Sequence, residues 1–131
     1  MIGLRDIREC WDFVKPGLED IRKNWDVPWR LEDVYAACRY GQAFCYVNKE
    51  ENAFAIVEEH QCQYTLEKHL HIWIAYAYEG QGMIDKYLPE LEKLAKQYGY
   101  RKITMSSHRP GWRKQPGWQA GMTTYIHEVP E

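Results

Sequence analysis

The stretch best placed to do chemistry is residues 70–78 (LHIWIAYAY), which run into Glu79-Gly80-Gln81-Gly82 and then a helical pattern opening at Met83. A strand that enters a glycine turn and leaves as a helix offers several free backbone N–H groups plus the positive end of a helix dipole. Anions bind there, phosphates above all. Glycine is needed because the backbone must approach the ligand closely. The competing reading is a plain strand-to-helix connection, and the four residues alone do not choose between the two.

Two other groups could do chemistry. His60-x-Cys62 and His69-x-His71 flank a turn. If the flanking strands pair so that His60 faces His71 and Cys62 faces His69, all four share one face and could hold a tetrahedral zinc. Tyr64-Thr65-Leu66-Glu67 lacks the Gly or Asn that a two-residue turn favours, so an exposed polar hairpin end is the competing reading. Between Arg101 and Lys114 stand five basic residues (Arg101, Lys102, Arg109, Arg113, Lys114) and no acid, with Trp112 inside and Trp118 just beyond. Such a loop could grip an anionic cofactor or stack on single-stranded nucleic acid. It could equally be a basic surface loop whose tryptophans cover a sheet.

The elements that must position these residues follow from periodicity. Apolar residues at three- and four-residue spacing over 5–24 predict an amphipathic helix, interrupted or kinked at Pro16-Gly17. A second helix is expected from about 31 to 40, stopped by Gly41. Residues 43–47 and 53–59 read as a hairpin around a turn-prone Asn-Lys-Glu-Glu-Asn. The apolar run 70–78 has the look of a central strand covered on both faces. A helix over 83–98, a strand over 102–106, a Pro/Gly/Trp-rich loop over 107–121 and a last strand over 122–129 complete the order.

At 131 residues the chain is one domain, 1–131, large enough to bury a core without disulfides. Its 45% apolar and 27% charged composition excludes a disordered or fibrous chain. Cys10, Cys38, Cys45 and Cys62 form no C-x-x-C pair and no secretory signal is visible, so reduced thiols and a cytoplasmic location are expected. No membrane-spanning stretch is present, and the formal charge of −2 argues against a general nucleic-acid binder.

Residues 74–105, IAYAYEGQGMIDKYLPELEKLAKQYGYRKITM, resemble the acyl-CoA-binding core of the GNAT acetyltransferase superfamily. Ile74 and Tyr76 take the places of its V-x-P strand, and Glu79 to Ile84 take its [RQ]-x-x-G-x-[GA] loop. LEKLAKQYGYRKITM is similar to its L-x-x-x-A-x-x-x-G-x-x-x-[IL] tail, and the upstream LEDVYAACRYGQAFCYV looks like its second helix and strand. The resemblance spans about residues 31 to 106. With the downstream Ser107-His108-Arg109-Pro110-Gly111-Trp112, the chain is also similar to short GNAT-like proteins encoded by bacteriophages, which implies a host cytoplasm.

The resemblance implies an α/β fold, with a mixed, mostly antiparallel sheet of five to seven strands flanked by helices. It implies acetyl transfer from acetyl-CoA to an amine. The backbone of Ile74 and Tyr76 would hold the pantetheine arm, the N–H groups of Gly80, Gln81, Gly82 and Met83 the pyrophosphate, and Arg109 would add charge. The acceptor amine then needs a base and the leaving thiolate a proton donor. Glu59, His71 and Tyr125 are the candidates. Glu79 stands where the family has Arg or Gln, and Ile84 where it has Gly or Ala. An alternative from another class is a non-catalytic GNAT-like protein that binds a protein partner through its tyrosine-rich second helix and hairpin.

Overall fold

The computed structural model describes residues 2–78, 83–107, 117–121 and 124–130. Five strands form one sheet in the order β1 (Ile2–Arg5), β2 (Phe44–Asn48), β3 (Ala53–Gln61), β4 (Lys68–Ala77) and β5 (Ile103–Met105). The first three pairings are antiparallel, and β4 with β5 is parallel. Helices α1 (Ile7–Asn24) and α2 (Leu31–Arg39) join β1 to β2, while α3 (Met83–Gln97) joins β4 to β5. This is the mixed, mostly antiparallel architecture expected, at the lower end of the strand range.

Alternation along the strands builds two cores. Cys45, Val47, Phe54, Ile56 and Ile74 face α1 and α2, where Ile7, Cys10, Val14, Leu18 and Val34 meet them. Ala53, Ala55, Val57, Leu70 and Ile72 face α3, against Ile84, Tyr87, Leu91 and Ala95. The strand at the middle of the sheet is therefore β3, whose residues 53–57 are all buried, rather than β4 beside it.

Three expectations need correction. Residues 2–5 form an edge strand on β2, and the helix begins only after Asp6, whose side chain caps it by accepting from the Arg8 N–H. Of the two alternatives at Pro16-Gly17, the interruption falls: Pro16 lies inside a single helix that stays continuous for 18 residues. No last strand forms over 124–130, where Tyr125, Ile126 and Val129 are largely exposed.

The β3–β4 ladder carries one irregularity. Ile56 pairs with Ile74 and Val57 with Ile72, so Trp73 is an extra residue on β4, a β-bulge. It changes the parity of the strand. Leu70 and Ile72 point toward α3, whereas Ile74 and Tyr76, on the other side of the bulge, point toward α1 and α2.

Candidate functional site

The parallel pair β4–β5 has three rungs, Leu70 with Ile103, His71 with Thr104 and Ile72 with Met105. Beyond them β4 continues to Ala77, still paired with β3, while β5 has ended. Among the described residues no strand partners positions 73–77 from the β5 side. The sheet thus forks just past Ile72, leaving an extended backbone edge that an amide-bearing arm can fit.

Side chains around the fork are already engaged elsewhere. Ile74 is buried in the core under α1 and α2. Tyr76 stacks on Phe54 and donates its hydroxyl to Asp20 Oδ2 of α1 at 2.6 Å, which raises the phenol to about 12. Only the backbone of these two residues is left to serve the slot. Met83 opens α3, as expected of the residue following a glycine turn. Glu79, Gly80, Gln81, Gly82 and Arg109 lie outside the described residues, as does Trp112. Ile84 is committed to the core against Val57, Leu70 and Ile72, which explains an apolar residue where the family pattern has Gly or Ala. Trp118 is half-buried against the same core, in keeping with a residue that covers the sheet.

One side of the fork carries titratable groups. Glu58 pairs with His71 and His60 with His69, so by alternation all four side chains share the face of α1 and α2. The His60 and His71 rings stack at 4.2 Å and 12°, and the His69 ring meets His60 edge-on at 5.7 Å. His60 Nε2 lies 3.2 Å from Glu58 Oε1, and His71 Nδ1 lies 2.9 Å from Thr104 Oγ1. Burial, helped by the neighbouring imidazoles, pushes His71 down to about 4. Its ring is therefore neutral at pH 7, with a lone pair able to take a proton.

The register differs by two residues from the symmetric pairing that would set His60 against His71. The turn is not the two-residue kind. Cys62 C=O accepts from the Leu66 N–H and Cys62 N–H donates to Glu67 C=O, with Leu66 at φ 62°. Because the shift is even, the three histidines stay on one face, and Glu58 takes the place beside His71. Cys62 lies at the hairpin end across from Glu67 and is not part of the cluster. Glu58 was missed from the sequence, although its i, i+2 relation to His60 was the available signal.

Glu59 points to the opposite face. It accepts from the Tyr100 hydroxyl at 2.7 Å and lines a cleft of about 320 Å³ with Glu67, Lys68, Tyr98, Gly99, Tyr100 and Arg101. Tyr125 is 89% exposed on irregular chain. The structure therefore does not bring the three candidates together.

No family model matches the chain, and no curated protein matches it. Solved structures do. A ribosomal-protein-alanine N-acetyltransferase from Brucella melitensis biovar Abortus superposes with a TM-score of 0.74 at 13% identity, over 98% of each chain. A GNAT family acetyltransferase from Staphylococcus aureus gives 0.68 at 11% identity, again over 98% of each. A putative acetyl transferase from Pyrococcus furiosus gives 0.60 at 18% identity over the full length of both. The chain has the GNAT fold. In a GNAT sheet with this connectivity, the fork between β4 and β5 and the start of α3 come together at one end of the parallel pair.

Proposed function

We propose that this GNAT-fold protein is an acyl-CoA-dependent N-acetyltransferase that moves an acetyl group from acetyl-CoA to an amine. The observation that carries the reading is the fork. Among the described residues, β4 presents a backbone edge over 73–77 with no strand partner on the β5 side, immediately beside a half-buried, neutral histidine. A pair hydrogen-bonded along its full length would have left no slot and favoured the alternative, a non-catalytic protein-binding domain.

Acetyl-CoA, when bound, supplies the thioester whose acyl carbon passes to the amine nitrogen. The chain's own part is to hold and to take a proton. The backbone of Ile74 and Tyr76 holds the pantetheine amides, while N–H groups of Gly80, Gln81, Gly82 and Met83, with Arg109, serve the pyrophosphate. His71 accepts the proton that the amine loses as its bond to carbon forms, the carbon–sulfur bond breaks, and CoA departs as a thiolate that takes its proton from solvent. Thr104 holds one nitrogen of that ring and leaves the other for the substrate. Glu59, turned to the other face and bound to Tyr100, is not needed for this step.

Melting the protein with and without acetyl-CoA tests the reading. A ligand at one hundred times its Kd adds about 2.7 kcal/mol of stability, several degrees for a chain of this size. Release of free CoA thiol with a panel of small amines and N-terminal peptides then tests turnover. A melting temperature unmoved by millimolar acetyl-CoA would sink the proposal.

A further inference from the structure

We propose that Glu58, His60 and His71 form a binding site for a divalent transition-metal ion of the zinc class. Each offers one ligand atom, and the three atoms lie within 4.8 Å of one another. His60 Nε2 and Glu58 Oε1 are already 3.2 Å apart, close to the spacing of about 3.3 Å between neighbouring ligands on a tetrahedral ion with bonds of 2.0–2.1 Å. The His60 and His71 rings stack with their in-plane lone pairs in two separate planes, so an ion binds once rotation about the side-chain bonds unstacks the rings and turns both lone pairs to one point.

Donor chemistry selects the ion. Two imidazoles and one carboxylate suit Zn²⁺, Ni²⁺, Cu²⁺ or Fe²⁺, whereas Mg²⁺ and Ca²⁺ want oxygen ligands throughout. The outer shell is in place as well. Thr104 engages Nδ1 of His71, and such a partner on the far nitrogen orients a ligating histidine. The site has an entrance, since all three ligands are only partly buried. Three protein ligands also leave a fourth position for water, or for His69 at the rim.

A metal at this point takes the lone pair of His71. If His71 is the proton acceptor, which rests on the acetyltransferase reading, metal binding and acetyl transfer exclude each other, and zinc inhibits. The binding itself stands on the geometry of the three side chains.

The test is a zinc titration of the full chain, stripped with a chelator and competed against a chromogenic zinc indicator. One equivalent should bind at micromolar Kd or tighter, and His60→Ala and Glu58→Gln should each weaken it at least ten-fold. In case a variant does not fold, the parent is followed by NMR of its histidine ring protons during the same titration. Shifts should fall on His60 and His71; absence of saturable binding, or shifts confined to His108 or His127, overturns the site. The two proposals separate cleanly. Zinc binding without any acetyl-CoA response leaves the metal site standing and removes the enzyme reading. A response to acetyl-CoA with no zinc binding does the reverse.

Discussion

His71 Nδ1 lies 2.9 Å from Thr104 Oγ1, on the last rung but one before β4 and β5 part. The bond joins the strand that carries the candidate base to the strand whose departure opens the slot. It ties the orientation of the imidazole to the geometry of the fork. Replacing His71 by Gln should lower kcat by about 10² to 10⁴, the usual contribution of a general base, and leave CoA affinity near the parent value. Thr104→Val removes only the orienting partner, so kcat should fall roughly five-fold, in line with the loss of one ordinary hydrogen bond. Steady-state kinetics on both variants, with CoA binding measured separately, checks the pair.

Glu79 occupies the first place of a loop read as a pyrophosphate cradle. A carboxylate about 4 Å from a pyrophosphate costs on the order of 1 to 4 kcal/mol between water-like and surface-like dielectric. Glu79→Arg should therefore tighten CoA by about ten-fold, the equivalent of about 1.4 kcal/mol. Calorimetry on the parent and the variant reads this directly. Equal and tight constants would show that the carboxylate already stands clear of the anion.

Gly17 brings α1 onto the sheet. A Cβ at this position would sit 2.7 Å from Phe54 Cε1 and 2.8 Å from Tyr76 Cδ2. Alanine would raise helix propensity by about 1 kcal/mol, but the overpacking costs about 1 to 3 kcal/mol, and both ring atoms belong to buried or stacked aromatics. The net leaves Gly17→Ala destabilised by up to about 2 kcal/mol in urea unfolding. A stabilised variant would mean that α1 can ride up without penalty.

Asn48 is the one buried polar side chain among the described residues of the core. Its Oδ1 accepts from the N–H groups of Asn52 and Ala53 at 2.9 and 3.0 Å, and its Nδ2 donates to the Tyr87 hydroxyl at 3.0 Å. It closes the β2–β3 turn and fastens it to α3. Asn48→Ala leaves buried donors without partners and should cost about 2 to 4 kcal/mol, whereas Tyr87→Phe should cost about 1 kcal/mol. Denaturant midpoints of the two variants test the ranking.

Asp6 carries a pH signature. The Arg8 guanidinium and the Arg8 N–H hold its carboxyl at about 2, against roughly 3.9 in an unfolded chain. A depressed folded pKa gives stability that is full above the unfolded value and disappears as pH falls through the folded one. The gap in melting temperature between the parent and Asp6→Asn should be constant above about pH 5, narrow strongly by about pH 2 and close by about pH 1. A gap unchanged at pH 2 would show that the charge plays no part.

Local pattern by itself determined a good deal of this protein. Helical spacing and the stops at Gly41 and Gly99 place α2 and α3 within a residue or two, because each amphipathic stripe and its end signal are local. Alternation also puts His69 and His71 on one face, and His60 joins them in any register that differs from the symmetric pairing by an even number of residues. Tertiary structure decided the rest. The length of the turn after Cys62 set the register, and so placed Glu58 rather than Cys62 beside the imidazoles. The bulge at Trp73 sent Leu70 and Ile72 to one core and Ile74 and Tyr76 to the other. Residues 2–5 became a strand only because β2 offered an edge, for four residues carry too little periodicity to declare themselves. The fork past Ile72 depends on where β5 stops pairing with β4, a contact between segments some thirty residues apart that no local window of sequence contains.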